Sequence, residues 1–248
     1  MCSLDEPTST ALLSDLPAEA DVSTAHLLLA ALVRALAHAL GTGVISIDVE
    51  HHGRDERLAA ADLTRTVGWF TAVTPVFLTL SPGEPPGQTV AAVEHRMREL
   101  PGHGLGWGLA KYAGPVGPLA DRLADVPTSS IAFNYFGRTG DGLAQAALFQ
   151  LSRRAPGPLH GPRNHRPYSL ELSASVSGDR IHLTLVYGSR RHAAARIERL
   201  LETIVAETRG IADALRAPGD ASADPTIALT DDELERLLSD VPGTDDES

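Results

Sequence analysis

Val44–His51 alternates strictly, and this constrains the fold more than any other stretch of the chain. Ile45, Ile47 and Val49 project to one side, and Ser46, Asp48 and Glu50 to the other, because successive strand residues point to opposite faces. The segment therefore reads as a strand with one apolar and one polar face, with Glu50 at its end. Ala25–Leu40 precedes it and repeats leucine at Leu28, Leu32, Leu36 and Leu40, which is helical spacing. Gly41 and Gly43 end that helix.

Further elements follow the same logic. Trp69–Leu80 reads as a strand interrupted at Pro75, which favours an edge or a bulge. Thr89–Leu100 reads as a helix. Ser130–Gly137 reads as a strand with Phe133 and Tyr135 on one face and Asn134 on the other. Tyr168–Ser177 and Arg180–Tyr187 alternate on either side of Gly178-Asp179, a hairpin signal. His192–Leu215 is expected to be a long helix. Residues 1–20 show little periodicity and read as an entry segment. Residues 1–216 are expected to form one domain, 217–228 a linker rich in turn formers, and 229–248 a short helix and acidic tail. Strands mixed with helices in this order imply an α/β or α+β layered fold.

Charge and cysteine content narrow the function classes. Thirty-two acidic residues against 21 basic ones leave a formal net charge of −11, which argues against a nucleic-acid surface. Arginine supplies the positive charge apart from a single lysine, Lys111. One cysteine, Cys2, permits neither an internal disulfide nor a cysteine-based zinc site. The run Ala25–Leu40 is broken by His26, Arg34 and His38 and is shorter than the ~20 residues that span a bilayer. The start of the chain lacks the basic and apolar regions of a signal peptide. A cytoplasmic protein without a membrane partner is expected.

Five ordered motifs carry a family resemblance. Glu50-His-His-Gly-Arg-Asp55 is similar to Glu-Gly-His-Gly-Arg-Glu, with His51 and Asp55 departing from it. Arg65-Thr-Val-Gly-Trp-Phe-Thr71 matches Arg-Thr-Val-Gly-Trp-Phe-Thr without a change. Leu100–Gly108 resembles Pro-x-x-Gly-x-Gly-Tyr-Gly, with Trp107 for tyrosine. Phe133-Asn-Tyr-Phe-Gly137 resembles Phe-Asn-Tyr-Leu-Gly, and Leu27–Leu40 resembles the leucine- and alanine-rich helix that opens the same region. Together they resemble the second half of an epimerization domain of nonribosomal peptide synthetases, in the condensation-domain superfamily.

The resemblance implies a chloramphenicol-acetyltransferase-like lobe, a mixed sheet flanked by helices. It implies a role in L/D inversion of an aminoacyl or peptidyl thioester, carried on the phosphopantetheine of a peptidyl carrier protein, with no cofactor bound to this chain itself. It also implies an N-terminal lobe as partner, because the family's His-His-x-x-x-Asp-Gly motif belongs to that lobe and does not occur here. Glu50 corresponds to the family's acid/base glutamate and Tyr135 to its assisting tyrosine. Asn134 is a candidate for positioning the thioester, and His52 for bracing Glu50 or the local turn. Two other readings stay open: a non-catalytic docking module or synthetase remnant, and a condensation-type transferase that forms peptide bonds.

The residues themselves permit blander roles. Glu50 could be a solvated strand-end carboxylate paired with Arg54. Trp69 and Phe70 read as core or domain-interface aromatics. His51 and His52 are adjacent on a strand and face opposite ways, which disfavours shared metal binding. Gly102, Gly104, Gly106 and Gly108 lack the strand-before, helix-after context of a dinucleotide site, and no Gly-x-Ser-x-Gly nucleophile elbow is present.

Overall fold

The computed structural model describes residues 1–41, 43–54, 62–63, 65–81, 83–100, 104–114, 118–126, 128–139, 157, 161 and 164–216. Met1–Arg216 is one compact unit. The expected linker at 217–228 and terminal helix at 229–248 lie outside the described residues, as does Asp55.

Strand β1 (Cys2–Ser3) leads into α1 (Glu6–Thr10), which continues through a wider π turn (Ala11–Asp15) into α2 (Leu16–Ala20). Helix α3 (Thr24–Leu40), β2 (Val44–His51) and β3 (Ala72–Thr79) follow. Next come α4 (Pro86–Arg98), α5 (Leu105–Gly108) with a π turn at Leu109–Ala113, and α6 (Pro118–Ala124). Strands β4 (Ile131–Arg138), β5 (Leu170–Ser177) and β6 (Arg180–Tyr187) precede the long helix α7 (Ala194–Arg216). No single helix among the described residues is long and apolar enough to cross a membrane.

The strands form one six-stranded sheet in the order β1-β6-β5-β4-β2-β3. It is mixed: β4 runs parallel to β2 and to β5, and the other pairs are antiparallel. Pro75 lies in β3, opposite Asp48, and β3 is an edge strand as its proline requires. Gly178 and Asp179 both adopt left-handed φ, 55° and 60°, closing the β5–β6 hairpin with the geometry that two-residue loops favour.

One face of the sheet is dry. Ile45, Ile47, Val49, Val76, Phe133, Leu172, Ala174, Ile181 and Leu183 are buried there, in a single core with Leu28, Leu32 and Leu36 of α3, Val90 and Val93 of α4, and Ile204 and Ile211 of α7. Helix α3 packs against both α4 and α7. Its ends are fixed locally: Ser23 Oγ accepts the His26 amide at 3.2 Å, and Gly41 terminates it at φ 66°. Each large aliphatic side chain buried in this layer contributes roughly 1.5–3 kcal/mol.

The entry-segment reading of residues 1–20 is corrected. Leu4, Ala11, Leu12 and Leu16 have no exposed surface and join the core. Pro7 and Pro17 sit in the first turns of their helices, so the segment is cut into short pieces whose periodicity is hard to see. The segment is also tied to α7, through Asp5 to Arg209 at 2.9 Å and Asp15 to Arg216.

Phe133 is the bulkiest side chain buried to this degree among the described residues, at 2% exposure. Phe133→Ala is expected to lower the unfolding free energy by about 3–5 kcal/mol, measured by urea denaturation. A loss under about 1 kcal/mol would mean that the helix layer does not bear on β4 as described.

Candidate functional site

The polar side of β2 meets β4 and β5 on the sheet face turned away from α3, α4 and α7. Val49 pairs with Phe133 across the parallel β2–β4 ladder, so the next residues, Glu50 and Asn134, fall side by side on the opposite face. Asn134 Nδ2 donates to Glu50 Oε2 at 2.6 Å. Two residues earlier, on the same face as Glu50 and Asn134, Asp48 pairs with Ala132, and Ala132 pairs with Glu171 of β5. The small Ala132 side chain leaves Asp48 and Glu171 as the polar groups of that row. Tyr168, just before β5, crosses β4 and donates its hydroxyl to Asp48 Oδ2 at 3.0 Å. Arg166 Nη2 donates to Glu171 Oε1 at 2.7 Å.

Three carboxylates thus share one half-buried patch, and the electrostatics follow. Burial, and then the neighbouring Glu171 charge, hold the Glu50 carboxyl above its ordinary range. Burial also raises Asp48, offset by the Tyr168 hydrogen bond and the Lys111 charge. Tyr168 is pushed far up by burial and by Asp48, Glu50 and Glu171, so it stays a neutral hydroxyl donor. A carboxyl poised in this way exchanges protons near neutral pH more readily than a solvated one.

The other residues singled out from sequence separate. Tyr135 lies on the helix face beside Phe133 and packs against the core. The structure does not bring it to Glu50, and strand alternation is the reason: Asn134 and Tyr135 must point opposite ways. His52 braces the local turn and not Glu50. Its Nδ1 accepts the Arg54 amide at 3.0 Å. His51 faces the helix side, where a Cβ on Gly104 would come within 2.7 Å of its ring. Gly104 thereby serves close packing, with Thr74 Oγ1 donating to its carbonyl at 2.8 Å. Among the described residues no group of His, Cys, Asp and Glu could hold a metal ion.

Arg54 is not the partner of Glu50. Its guanidinium donates to the Thr66 and Gly68 carbonyls at 3.1 and 3.3 Å and stacks on Phe70, 4.7 Å from the ring centre. Gly53, at φ 63°, lets the chain pass the Phe70 carbonyl, where any Cβ would collide. This clamp fixes the Arg65–Thr71 motif with Val67 and Trp69 turned outward. Trp69 is 90% exposed, so it is not a core residue of this unit. The strand expected from Trp69 begins only at Ala72, because arginine and backbone contacts hold the preceding residues as a loop.

Asp48, Tyr168, Glu171 and Arg166 were not among the residues singled out from sequence. Asp48 carried a signal, two residues before Glu50 on the same strand face. Tyr168 and Glu171 reach the patch only through the β4–β5 pairing, which no local pattern encodes.

A condensation-domain family model matches residues 1–235. The chain is 34% identical over 211 residues to a linear gramicidin synthase protein of Brevibacillus parabrevis, covering 85% of this chain and 3% of that protein. It is 32% identical over 241 residues to chondramide synthase cmdD of Chondromyces crocatus, covering 95% and 6%. Among solved structures, the epimerization domain from the third module of tyrocidine synthetase B superposes with a TM-score of 0.78 at 26% identity, covering 86% of this chain and 47% of that one. The first condensation domain of the CDA synthetase shares the fold, with a TM-score of 0.57 at 15% identity, covering 86% and 45%. The chain therefore spans about half of such a solved domain and a few per cent of the synthases. With its mixed sheet flanked by helices and a family match along nearly its whole length, the chain belongs to the condensation-domain family of nonribosomal peptide synthetases.

Proposed function

We propose that this chain forms one wall of an epimerization-type site, acting on the α-carbon of an aminoacyl or peptidyl thioester. The observation that carries the reading is Glu50, half-buried with a raised pKa and held by Asn134 at 2.6 Å on the polar sheet face. The similarity to an epimerization domain, at 26% identity and a TM-score of 0.78, supports it. So does the unchanged Arg65–Thr71 motif.

Inversion requires that the α-proton leave from one side and a proton return to the other. When the C–H bond breaks, its electron pair moves onto the thioester carbonyl and forms an enolate. Glu50 takes or returns the proton on its side. Asn134, by donating to Oε2, fixes the carboxylate and leaves Oε1 for the transfer. The acid/base group on the far side comes from a complementary N-terminal lobe carrying His-His-x-x-x-Asp-Gly, on the same or another polypeptide. The substrate arrives on the phosphopantetheine arm of a peptidyl carrier protein. Acting without that lobe, the chain inverts little or nothing, because a two-sided exchange lacks one side.

The condensation-type reading is supported by the condensation-domain family model over residues 1–235 and by fold likeness to condensation domains at 15–18% identity, and it makes a different prediction for proton exchange. With the complementary lobe and an L-aminoacyl carrier protein in deuterated water, the epimerization reading predicts α-deuteration and D product. Glu50→Gln is expected to slow that exchange by about 10²–10⁴-fold, followed by mass spectrometry and chiral analysis. An unchanged rate removes Glu50 from the chemistry, and absence of any exchange in the parent pair removes epimerization.

The same substitution has a stability signature of opposite sense. The fold disfavours ionised Glu50, whereas an unfolded carboxylate ionises in the ordinary range, so the penalty is absent at low pH and present above the raised folded pKa. Glu50→Gln, which keeps an acceptor for Asn134, is therefore expected to raise the melting temperature at pH 7. The gain should vanish near pH 3, roughly a unit below an ordinary glutamate pKa. A Gln variant less stable at pH 7 than at pH 3, each relative to the parent, would contradict the burial described for this carboxyl.

A further inference from the structure

Beside Glu50 the polar face opens into a cleft of about 510 Å³, lined by Asp48, Val73, Trp107, Lys111, Tyr112 and Tyr168 among others. This is within the size range of small-molecule sites. Val73, which lines the cleft, is the β3 partner of Glu50, so the candidate acid/base group lies one strand away from the cleft wall. The wall over Asp48 is the segment α5 and its π turn. It brings two aromatic rings, and Lys111 Nζ lies 5.2 Å from the Trp107 centroid and 5.8 Å from that of Tyr112. Asp48 itself is 8% exposed, with Oδ2 occupied by the Tyr168 hydroxyl.

The local charge is out of balance. Asp48, Glu50 and Glu171 all act on Tyr168. Against them stand Arg166, spent on Glu171, and Lys111, which acts on Asp48 from its seat over the aromatic rings. Among the described residues, three carboxylates thus face two cations. A buried carboxylate bordered by aromatic faces is chemistry suited to a substituted ammonium.

The spacing matches an amino acid. Asp48 and Glu50 are two residues apart on one strand face, so their Cα atoms are separated by ~7 Å. A substrate α-carbon within proton-transfer reach of Glu50, at ~3.5 Å, would carry its nitrogen toward Asp48 at hydrogen-bonding distance, ~2.8 Å. An N-acylated substrate would place a neutral amide there, leaving the charge unmatched.

We propose that Asp48, bordered by Tyr168, Trp107 and Tyr112, binds the free α-ammonium of an aminoacyl thioester, so that this chain selects aminoacyl over N-acylated, peptidyl substrates. The inference rests on the carrier-thioester reading above and names its substrate class. Lys111, the single lysine of the chain, holds the cation position in the absence of substrate and yields to the ligand ammonium.

Two probes test it by calorimetry on the full chain: L-alanyl-pantetheine joined by an amide in place of the thioester, and its N-acetyl counterpart. They differ in charge only at the α-nitrogen. The free amine is expected to bind at least ~10-fold more tightly, and Asp48→Asn should abolish the difference. Lys111→Met, which removes the competing cation, should widen it. The opposite signs of the two variants separate a specific effect from loss of folding. Equal affinities, binding of neither probe, a preference that survives Asp48→Asn, or a preference narrowed by Lys111→Met would each overturn the proposal. None of these results bears on whether Glu50 exchanges the α-proton, which is read separately by deuteration.

Discussion

One-sided burial of the sheet is the constraint on which the rest depends. Strand alternation sends Ile45, Ile47, Val49 and Phe133 into a helix-covered core and obliges Asp48, Glu50 and Asn134 to share the other face. Hydrophobic burial therefore positions the polar groups without acting on them directly. The core holds β2 and β4 in parallel register, and that register places Asn134 against Glu50. A slip of one residue would turn Glu50 into the core and Val49 out of it.

The patch built in this way is electrostatically tense. Glu171 acts on Glu50, all three acids act on Tyr168, and burial disfavours the ionised forms of Asp48 and Glu50. Stability alone would be better served by neutral side chains here. Tyr168, kept neutral, Arg166, paired with Glu171, and Asn134, donating to Glu50, relieve part of the strain. What remains is a carboxyl whose two protonation states are closer in free energy than in water. That is the property a proton-transfer group needs. Around it, the exposed side chains Val67, Trp69, Tyr112 and Phe136 present apolar surface that a lone globular unit does not require.

Much of the layer architecture was legible in the sequence. Val44–His51 is the strand its alternation describes, and Gly41 and Gly178-Asp179 end and turn their elements through left-handed backbone, as their composition implies. Residues 1–20 were not legible, because two prolines and a π turn break the helical period that Leu4, Leu12 and Leu16 would otherwise reveal. At the site, Glu50 and Asn134 could be picked out and were found in contact, while Tyr135 could have been set apart by the same alternation that paired the other two. Asp48 and Tyr168 meet across an intervening strand. Contacts of that kind depend on sheet order, which is a property of the whole chain and not of any segment.

If Glu50 exchanges a proton as proposed, its face of the sheet, and not the helix layer, receives the complementary lobe. Hydroxyl-radical footprinting of the chain, alone and mixed with an N-terminal condensation-family lobe carrying His-His-x-x-x-Asp-Gly, tests this directly. Trp69 and Phe136, 90% and 58% exposed, are predicted to lose reactivity in the mixture, while His38 and His95, exposed on α3 and α4, keep theirs. Protection of His38 and His95 with Trp69 and Phe136 still reactive would contradict it.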